Sequence, residues 1–179
     1  DYMEKYGIDA FRYFLAREMV VGQDANFTHD AFVRRINSDL ANDLGNVLNR
    51  VHRLVITNFE GKLPAATVTG DAEKEVIDLA NKVIAEIKEG LPQARLSQSI
   101  ETIMQLVRSI NRYLEVKAPW KLAKDPAMKD ELATVLYVSA EAVRLSLCLL
   151  WPVIPSKAEE GLAMIGSKFQ SADDLAWGI

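Results

Sequence analysis

The chain has 179 residues, of which 49% are hydrophobic, so it can bury one substantial core and is not an extended disordered chain. Its 21 basic and 25 acidic side chains give a net charge of −4. This balance argues against a general nucleic-acid coat protein, which needs an overall basic field, but it leaves room for a local basic site. The single cysteine excludes an internal disulfide and fits a reducing cytoplasm. The longest apolar run, 145–154, is far shorter than the roughly 20 residues of a membrane helix.

The predicted elements are helical throughout. Residues 1–17 have helix-like apolar spacing, and turn-forming residues follow over 20–30. Residues 30–59 contain no proline and place apolar side chains at intervals of three and four. That spacing predicts one long amphipathic helix, which Thr28 is positioned to cap. Further helices are predicted over 71–89, 95–116, 130–151 and 156–165.

The helix predicted over 130–151 is nearly apolar all round after Leu132, which indicates a central position. Cys148 and Trp151 lie in its apolar run and are predicted to be core residues. No segment alternates with a period of two for any length, so no sheet is indicated. Because short breaks join the long helices, the sequence predicts an all-α fold, an antiparallel helical bundle.

One stripe of the long predicted helix is unusually rich in amides. Asn42, Asn46 and Arg50 are spaced by four residues and stack along one side, and Asn37 and Asn49 lie nearby. Asparagine is a mediocre helix former, because its side chain competes for backbone hydrogen bonds. The concentration indicates a face kept for polar recognition. The alternative is a solvated face that carries asparagine by chance.

A second candidate site surrounds Trp120, in the break between helices over 118–124. Five basic side chains and one glutamate lie between residues 108 and 124, within an otherwise acidic chain. Pro119 fixes the backbone just before the indole. A tryptophan surrounded by lysines is suited to stack on an unpaired base. The alternative is an indole that fills the gap between two helices.

The sequence offers no recognisable catalytic or metal site. Its 9 glycines are scattered singly, so no glycine-rich phosphate loop is present. His29 and His52 are too far apart for helical ligand spacing and have no cysteine partner, so no metal site is predicted. No serine occupies a nucleophile-turn motif. A self-contained enzyme is therefore not expected.

Four segments carry a resemblance to a known family. They are YGIDAFRYFLARE at 6–18, GQDANFTHDAF at 22–32, NSDLANDLGNVLNR at 37–50 and NRYLEVKAPWKLAK at 111–124. Segments like these occur in the same order in methionyl-tRNA synthetases. The chain resembles the C-terminal, anticodon-binding part of the bacterial enzyme over essentially its whole length. The Ala-Pro-Trp segment is shared with the isoleucine, valine and leucine enzymes, so an anticodon-binding domain of that class I group is an alternative.

The resemblance implies a domain organisation. Residues 33–179 would form a helical bundle of the class I synthetase anticodon-binding type, and residues 1–32 a connector that follows the catalytic domain. The chain begins with aspartate and is expected to be a piece of a longer protein. The HIGH-type and KMSKS-type signatures, and the sites for ATP, magnesium and zinc, would lie upstream. This piece alone is expected to bind no cofactor and to form no aminoacyl-tRNA. The whole methionine–tRNA ligase would bind ATP and form aminoacyl-tRNA.

The resemblance also implies roles for single residues. In this family the long helix and the Pro-Trp segment read the anticodon CAU of methionine tRNA, which gives Asn46, Arg50 and Trp120 as direct contacts. The other implied residues are Asn42 and Pro119 as neighbours in the anticodon site, and Asn49, Arg53 and Lys121 as candidate contacts to the RNA backbone. A helical protein-interaction scaffold with no RNA role is the remaining alternative, and it would bury Trp120.

Overall fold

The structure is a computed structural model that describes residues 2–18, 27–67, 69–90 and 95–178. Most of the predicted turn-rich loop, residues 20–26, lies outside this part of the chain. The helices are α1 (Tyr2–Tyr6), α2 (Ile8–Glu18), α3 (His29–Arg35), α4 (Asn46–Phe59), α5 (Asp71–Gly90), α6 (Leu96–Lys117), α7 (Pro119–Leu122), α8 (Lys129–Leu150) and α9 (Pro155–Met164). A π-helical segment, Ile36–Gly45, lies between α3 and α4, and single 3-10 turns occupy Pro126–Met128 and Ala172–Asp174. These described ranges contain no strand, so the predicted all-α fold is confirmed.

The long helix predicted over 30–59 is present, with a local change of pitch. Thr28 Oγ1 accepts a hydrogen bond from the amide of Ala31 at 3.2 Å, which confirms the predicted cap. The α3, π and α4 segments follow one another without a break, and the helix ends at Glu60, whose φ of 54° is left-handed. The periodicity did not predict the π segment, because the large apolar residues within it, Ile36, Leu40 and Leu44, are spaced by four residues, as they can be in an α-helix.

Consecutive long helices of the bundle run in opposite directions. Glu73 in the first turn of α5 binds Lys117 at the end of α6, with 2.8 Å between Oε1 and Nζ, so α5 and α6 are antiparallel. The same Lys117 Nζ lies 3.6 Å from Oε1 of Glu131 at the start of α8, so α6 and α8 are antiparallel as well. The predicted antiparallel bundle is therefore confirmed.

Helix α8 is the centre of the core. Every residue from Leu132 to Leu150 is buried except Tyr137, which is half-buried. Cys148 is 1% exposed, as predicted for a core residue, and burial raises the pKa of its thiol to about 11. The stretch Pro126–Leu150 is long and apolar enough to cross a membrane by composition, but 94% of its apolar window is buried inside the fold. Its apolarity is that of a core helix.

Trp151 is not a core residue, contrary to the prediction. Helix α8 ends at Leu150, and the turn that follows leaves the Trp151 indole half-buried at the edge of the core. The indole packs against Phe169, with ring centroids 5.5 Å apart, and its N–H donates to Glu159 at 3.2 Å. The tryptophan therefore joins an apolar surface to a polar one, which suits its ring and its donor.

Helix α2 is fastened to the corner between α8 and α9. The Asp9 carboxylate accepts a hydrogen bond at 2.8 Å from the amide of Lys157, in the first turn of α9. Arg12 donates to the carbonyls of Val153 at 2.9 Å and Pro152 at 2.7 Å. Helix α2 thus caps α9 from outside and satisfies two carbonyls of the turn between α8 and α9.

Candidate nucleic-acid interface

The backbone at the end of α6 directs Trp120 towards solvent. Helix α6 stops at Ala118, which adopts a left-handed conformation with φ of 45°, while its amide still bonds to the carbonyl of Leu114 at 2.9 Å. Pro119 then begins α7, a position where its missing N–H costs nothing. The Pro119 side chain is buried, and the indole of Trp120 that follows is 37% exposed. The interpretation of Trp120 as an enclosed gap-filling residue, and the scaffold alternative that required it, are therefore wrong.

Arg50 of α4 meets this indole from a segment 70 residues earlier in the chain. The Cζ atom of its guanidinium lies 5.0 Å from the centroid of the Trp120 ring, which is a cation–π contact. Its Nη2 donates to Oε1 of Glu115 on α6 at 2.9 Å. Arg50 and Trp120, which the family resemblance assigned to one site, are thus side by side on a partly exposed surface.

The amide stripe lies on the same long helix. Asn42 is in the π segment, Asn46 is the first residue of α4, and both are exposed. Asn49 and Arg53 are also exposed on α4, and Lys121 is exposed on α7 beside Trp120. Of the eight residues singled out from the sequence, only Pro119 has its side chain withdrawn from solvent. The backbone of Pro119 contributes to the site by setting where α7 begins.

The π segment is held from beneath by a buried carboxylate that the sequence analysis did not identify. Asp39 is 2% exposed and accepts a hydrogen bond from the hydroxyl of Tyr13 at 2.8 Å. The guanidinium groups of Arg17 and Arg35 each lie 3.5 Å from it, and Arg35 also binds Glu18 at 2.6 Å. Burial, with Asp39 beside it, raises the pKa of the Tyr13 phenol. The position of Asp39, an acidic residue at the edge of the apolar stripe, was the sequence signal that could have predicted these contacts.

Only part of the basic cluster around Trp120 is available to a ligand. Lys117 is bound to Glu73 and Glu131, as described above. Arg108 is bound to Glu101 and lies 3.7 Å from Asp43 in the π segment. The members of the cluster that are exposed and have no ion pair within the described part of the chain are Arg112, Lys121 and Lys124. Two of the five basic side chains counted in the sequence therefore neutralise buried or half-buried carboxylates.

The site has no evident place for a metal ion. Within the described ranges, no group of three or more histidine, cysteine, aspartate or glutamate side chains could hold one. The chemistry available at this surface is an aromatic face, a guanidinium, several amides and three free cations. Such a set can stack on a ring, donate to acceptors and contact phosphates.

Two family models match the chain. Residues 1–52 match the model for class I tRNA synthetases (M), and residues 63–177 match the anticodon binding domain of methionyl tRNA ligase. The chain belongs to the methionyl-tRNA ligase family. The amides and Arg50 fall in the first matched segment and Trp120 in the second, so the contact between Arg50 and Trp120 joins the two. The predicted boundary between a connector at 1–32 and a bundle at 33–179 stays a prediction, and α3 crosses it without a break.

Relatives in the methionyl-tRNA ligase family agree over nearly the whole chain. A methionine–tRNA ligase of Brucella suis is 39% identical over 97% of this chain, which covers 34% of that relative. A Bacillus subtilis methionine–tRNA ligase is 37% identical over 97% of the chain, which covers 27% of it. The free form of Mycobacterium tuberculosis methionyl-tRNA synthetase superposes with a TM-score of 0.89 at 33% identity, over 93% of this chain and 34% of that one. The chain thus spans between about a quarter and a third of the length of these relatives.

Proposed function

We propose that this chain binds the anticodon loop of methionine tRNA and reads its CAU sequence, as the anticodon-binding part of a methionine–tRNA ligase. The observation that carries the proposal is the convergence of Arg50 and Trp120, 5.0 Å apart on a partly exposed surface beside the amide stripe. In the whole enzyme, a catalytic domain outside this chain would use ATP to attach methionine. We propose a cytoplasmic location, which the single buried cysteine suits.

The first anticodon base, cytosine, would leave the loop stack and lie against the indole of Trp120. Base–aromatic stacking is worth about 1–3 kcal/mol and hardly distinguishes one base from another, because every base has a π face. Stacking therefore supplies affinity for an unpaired base, and selectivity has to come from groups that reach the edge of that base.

Arg50 and Asn46 would supply this selectivity. Cytosine presents acceptors at N3 and O2, whereas uracil presents a donor at N3. A guanidinium has donors only, so Arg50 suits cytosine and is left with an unsatisfied donor opposite uracil. A buried donor without a partner costs about 1–3 kcal/mol, and this penalty does more for selectivity than the attraction does. Asn46 can orient the base edge with either its amide oxygen or its N–H groups.

Phosphate contacts would hold the loop in register. Arg53 on α4, Arg112 on α6 and Lys121 on α7 are exposed, as is Lys124 in the turn after α7, and neither Arg112 nor Lys124 has an ion pair within the described residues. Contacts between these side chains and phosphates would carry no sequence information and would weaken as salt is added, because binding releases counterions from the RNA.

The test is a titration of RNA stem-loops that carry CAU or UAU. Trp120→Ala should weaken binding of both loops by about 5- to 100-fold, as expected from the lost stack. Arg50→Gln should chiefly reduce the preference for CAU over UAU, because it removes the donor-only group. Lys168→Ala, an exposed position on the chain segment after α9, is the control and should change neither. Equal affinity of the unmodified chain for the two loops would contradict the proposal.

A further inference from the structure

A buried carboxylate lies behind the corner that carries Trp120. Glu73, in the first turn of α5, is 2% exposed, and its Oε2 accepts a hydrogen bond from the amide of Gly70 at 2.8 Å. Its Oε1 accepts hydrogen bonds from the hydroxyl of Tyr113 at 2.7 Å and from Nζ of Lys117 at 2.8 Å. One side chain of α5 therefore binds both of the last two inward-facing polar residues of α6.

This network adjoins the indole through the backbone. Lys117 is the last residue of α6, and the left-handed Ala118, Pro119 and Trp120 follow it directly. A non-glycine residue with positive φ costs free energy, so its surroundings must hold it there. The surroundings here are the buried ring of Pro119 on one side and Lys117, bound to Glu73 and Glu131, on the other.

Besides any contribution to stability, the network fixes the local geometry. Removing two charges from water costs several kcal/mol, and the attraction between them repays that cost only in part, so a buried ion pair is weak support for stability. Its hydrogen bonds are directional, however, and an apolar contact is not. The hydrogen-bonded pair therefore fixes the direction of one helix end better than a contact between two leucines would.

We propose that Glu73 is a positioning residue for Trp120, since it holds Lys117 and Tyr113 and thereby sets the α6–α7 corner from which the indole projects. The inference rests on the proposed function and deepens it. Glu73 does not touch the RNA and acts on binding only through the indole. Lys117 shares this structural role, because its ammonium group is bound to Glu73 and Glu131.

The test is a double-mutant cycle on the affinity of the full 179-residue chain for the CAU stem-loop at low salt. Glu73→Gln keeps the shape of the side chain but removes its charge. In the background with Trp120 it should weaken binding by about three- to tenfold, a coupling typical of residues in one network. In the Trp120→Ala background the same substitution should change binding by less than about twofold.

A spectroscopic measurement separates positioning from loss of stability. In a chain with Trp151→Phe and Trp177→Phe, Trp120 is the only indole, and Glu73→Gln should change its emission and its quenching by acrylamide. Glu141→Gln is the matched control, because Glu141 is also a buried carboxylate in an ion pair, with Arg144 on α8. It should lower the unfolding temperature and leave both the indole signal and the stem-loop affinity unchanged.

The outcomes for the positioning role and for the proposed function can be told apart. If Trp120→Ala weakens binding but Glu73→Gln does not, the positioning role is wrong and the proposed function stands. The positioning role is equally wrong if Glu73→Gln weakens binding to the same extent in both backgrounds. If Trp120→Ala itself has no effect, the proposed function fails. Should Glu73→Gln not fold, Tyr113→Phe removes one donor to the carboxylate and must show a smaller effect of the same pattern.

Discussion

At the scale of single residues, Glu73 shows how burial and hydrogen bonding compete at one carboxyl group. Burial disfavours the charged form and would raise its pKa. The hydrogen bonds from Lys117, Tyr113 and the amide of Gly70 outweigh burial and lower the pKa of Glu73 from 4.5 to about 2. The carboxylate is therefore charged at every pH at which the protein would work, and it provides a fixed anchor.

The lowered pKa predicts an acid-dependent contribution to stability. A group whose pKa falls on folding stabilises the native state fully above its unfolded value and loses that contribution as pH drops through the folded value. For Glu73 the window lies between 4.5 and about 2. Urea unfolding should show that the difference in unfolding free energy between the unmodified chain and Glu73→Gln shrinks across this window. A difference that stays constant down to about pH 2 would contradict the assignment.

At the scale of elements, the π segment Ile36–Gly45 is the feature that departs most from a regular bundle. π-helical turns are rare and are often found at functional sites. Gly45 closes the segment, and a Cβ atom at this position would lie 3.0 Å from the carbonyl oxygen of Leu40. Because that oxygen belongs to the backbone, it cannot move aside cheaply. The glycine therefore permits the change of pitch that precedes Asn46.

This crowding predicts that Gly45→Ala gains nothing from helix propensity. In an ordinary helix the change would stabilise by roughly 1 kcal/mol. Here the contact with the carbonyl of Leu40 should cancel that gain or exceed it. Asn81→Ala, at an exposed position of α5, is the control and should raise stability by about 0.5 kcal/mol. Thermal unfolding compares the two variants, and an unfolding temperature for Gly45→Ala as high as that of Asn81→Ala would show that the contact with Leu40 does not offset the gain in helix propensity.

The helices themselves could be predicted from the sequence, because each follows from local spacing and capping. The cap at Thr28 and the central position of α8 were both found in this way. The functional contacts could not be predicted with the same means. The contacts of Arg50 with Trp120 and of Glu73 with Lys117 join residues far apart in the chain, so they depend on how the helices pack. The sequence did contain one signal for the burial of Glu73, because this residue lies three positions before Val76 and so continues the apolar stripe of α5.

At the scale of the whole molecule, a second buried ion pair fastens the end of the chain to the core. Arg144 binds both oxygens of Glu141, at 2.8 and 2.7 Å, and donates to the carbonyls of Asp174 and Ala176, both at 2.7 Å. The amide of Gly178 in turn donates to Glu141 at 2.7 Å. The last residues thus complete the hydrogen bonding of charges that lie on the central helix.

Removing one partner of this pair should be costly. Arg144→Leu leaves the charge of Glu141 buried without a counterion and should lower the free energy of unfolding by about 3–5 kcal/mol. The double change with Glu141→Leu should cost less, because no buried charge remains. Lys157→Ala, in an exposed pair with Glu160, is the control and should cost below about 1 kcal/mol. Urea denaturation measures all three, and a double variant less stable than Arg144→Leu would show that the unpaired charge is not the cause of the loss.

The guanidinium of Arg50 covers part of the Trp120 indole in the free protein. If the proposed function is right, this contact determines the order in which the steps of RNA binding occur. A base that stacks on that face must first push the cation aside. When the Arg50 guanidinium leaves the ring and Glu115, each exposed contact that is lost costs about 0.5–1 kcal/mol. This cost is comparable with the lower end of the roughly 1–3 kcal/mol by which a stacked base stabilises the complex. Exchange is thus most favourable when the incoming edge gives the displaced cation new acceptors. Occupying the aromatic surface and checking the identity of the base are therefore coupled, because a base of the wrong sequence keeps the stack but leaves the displaced cation without a new acceptor.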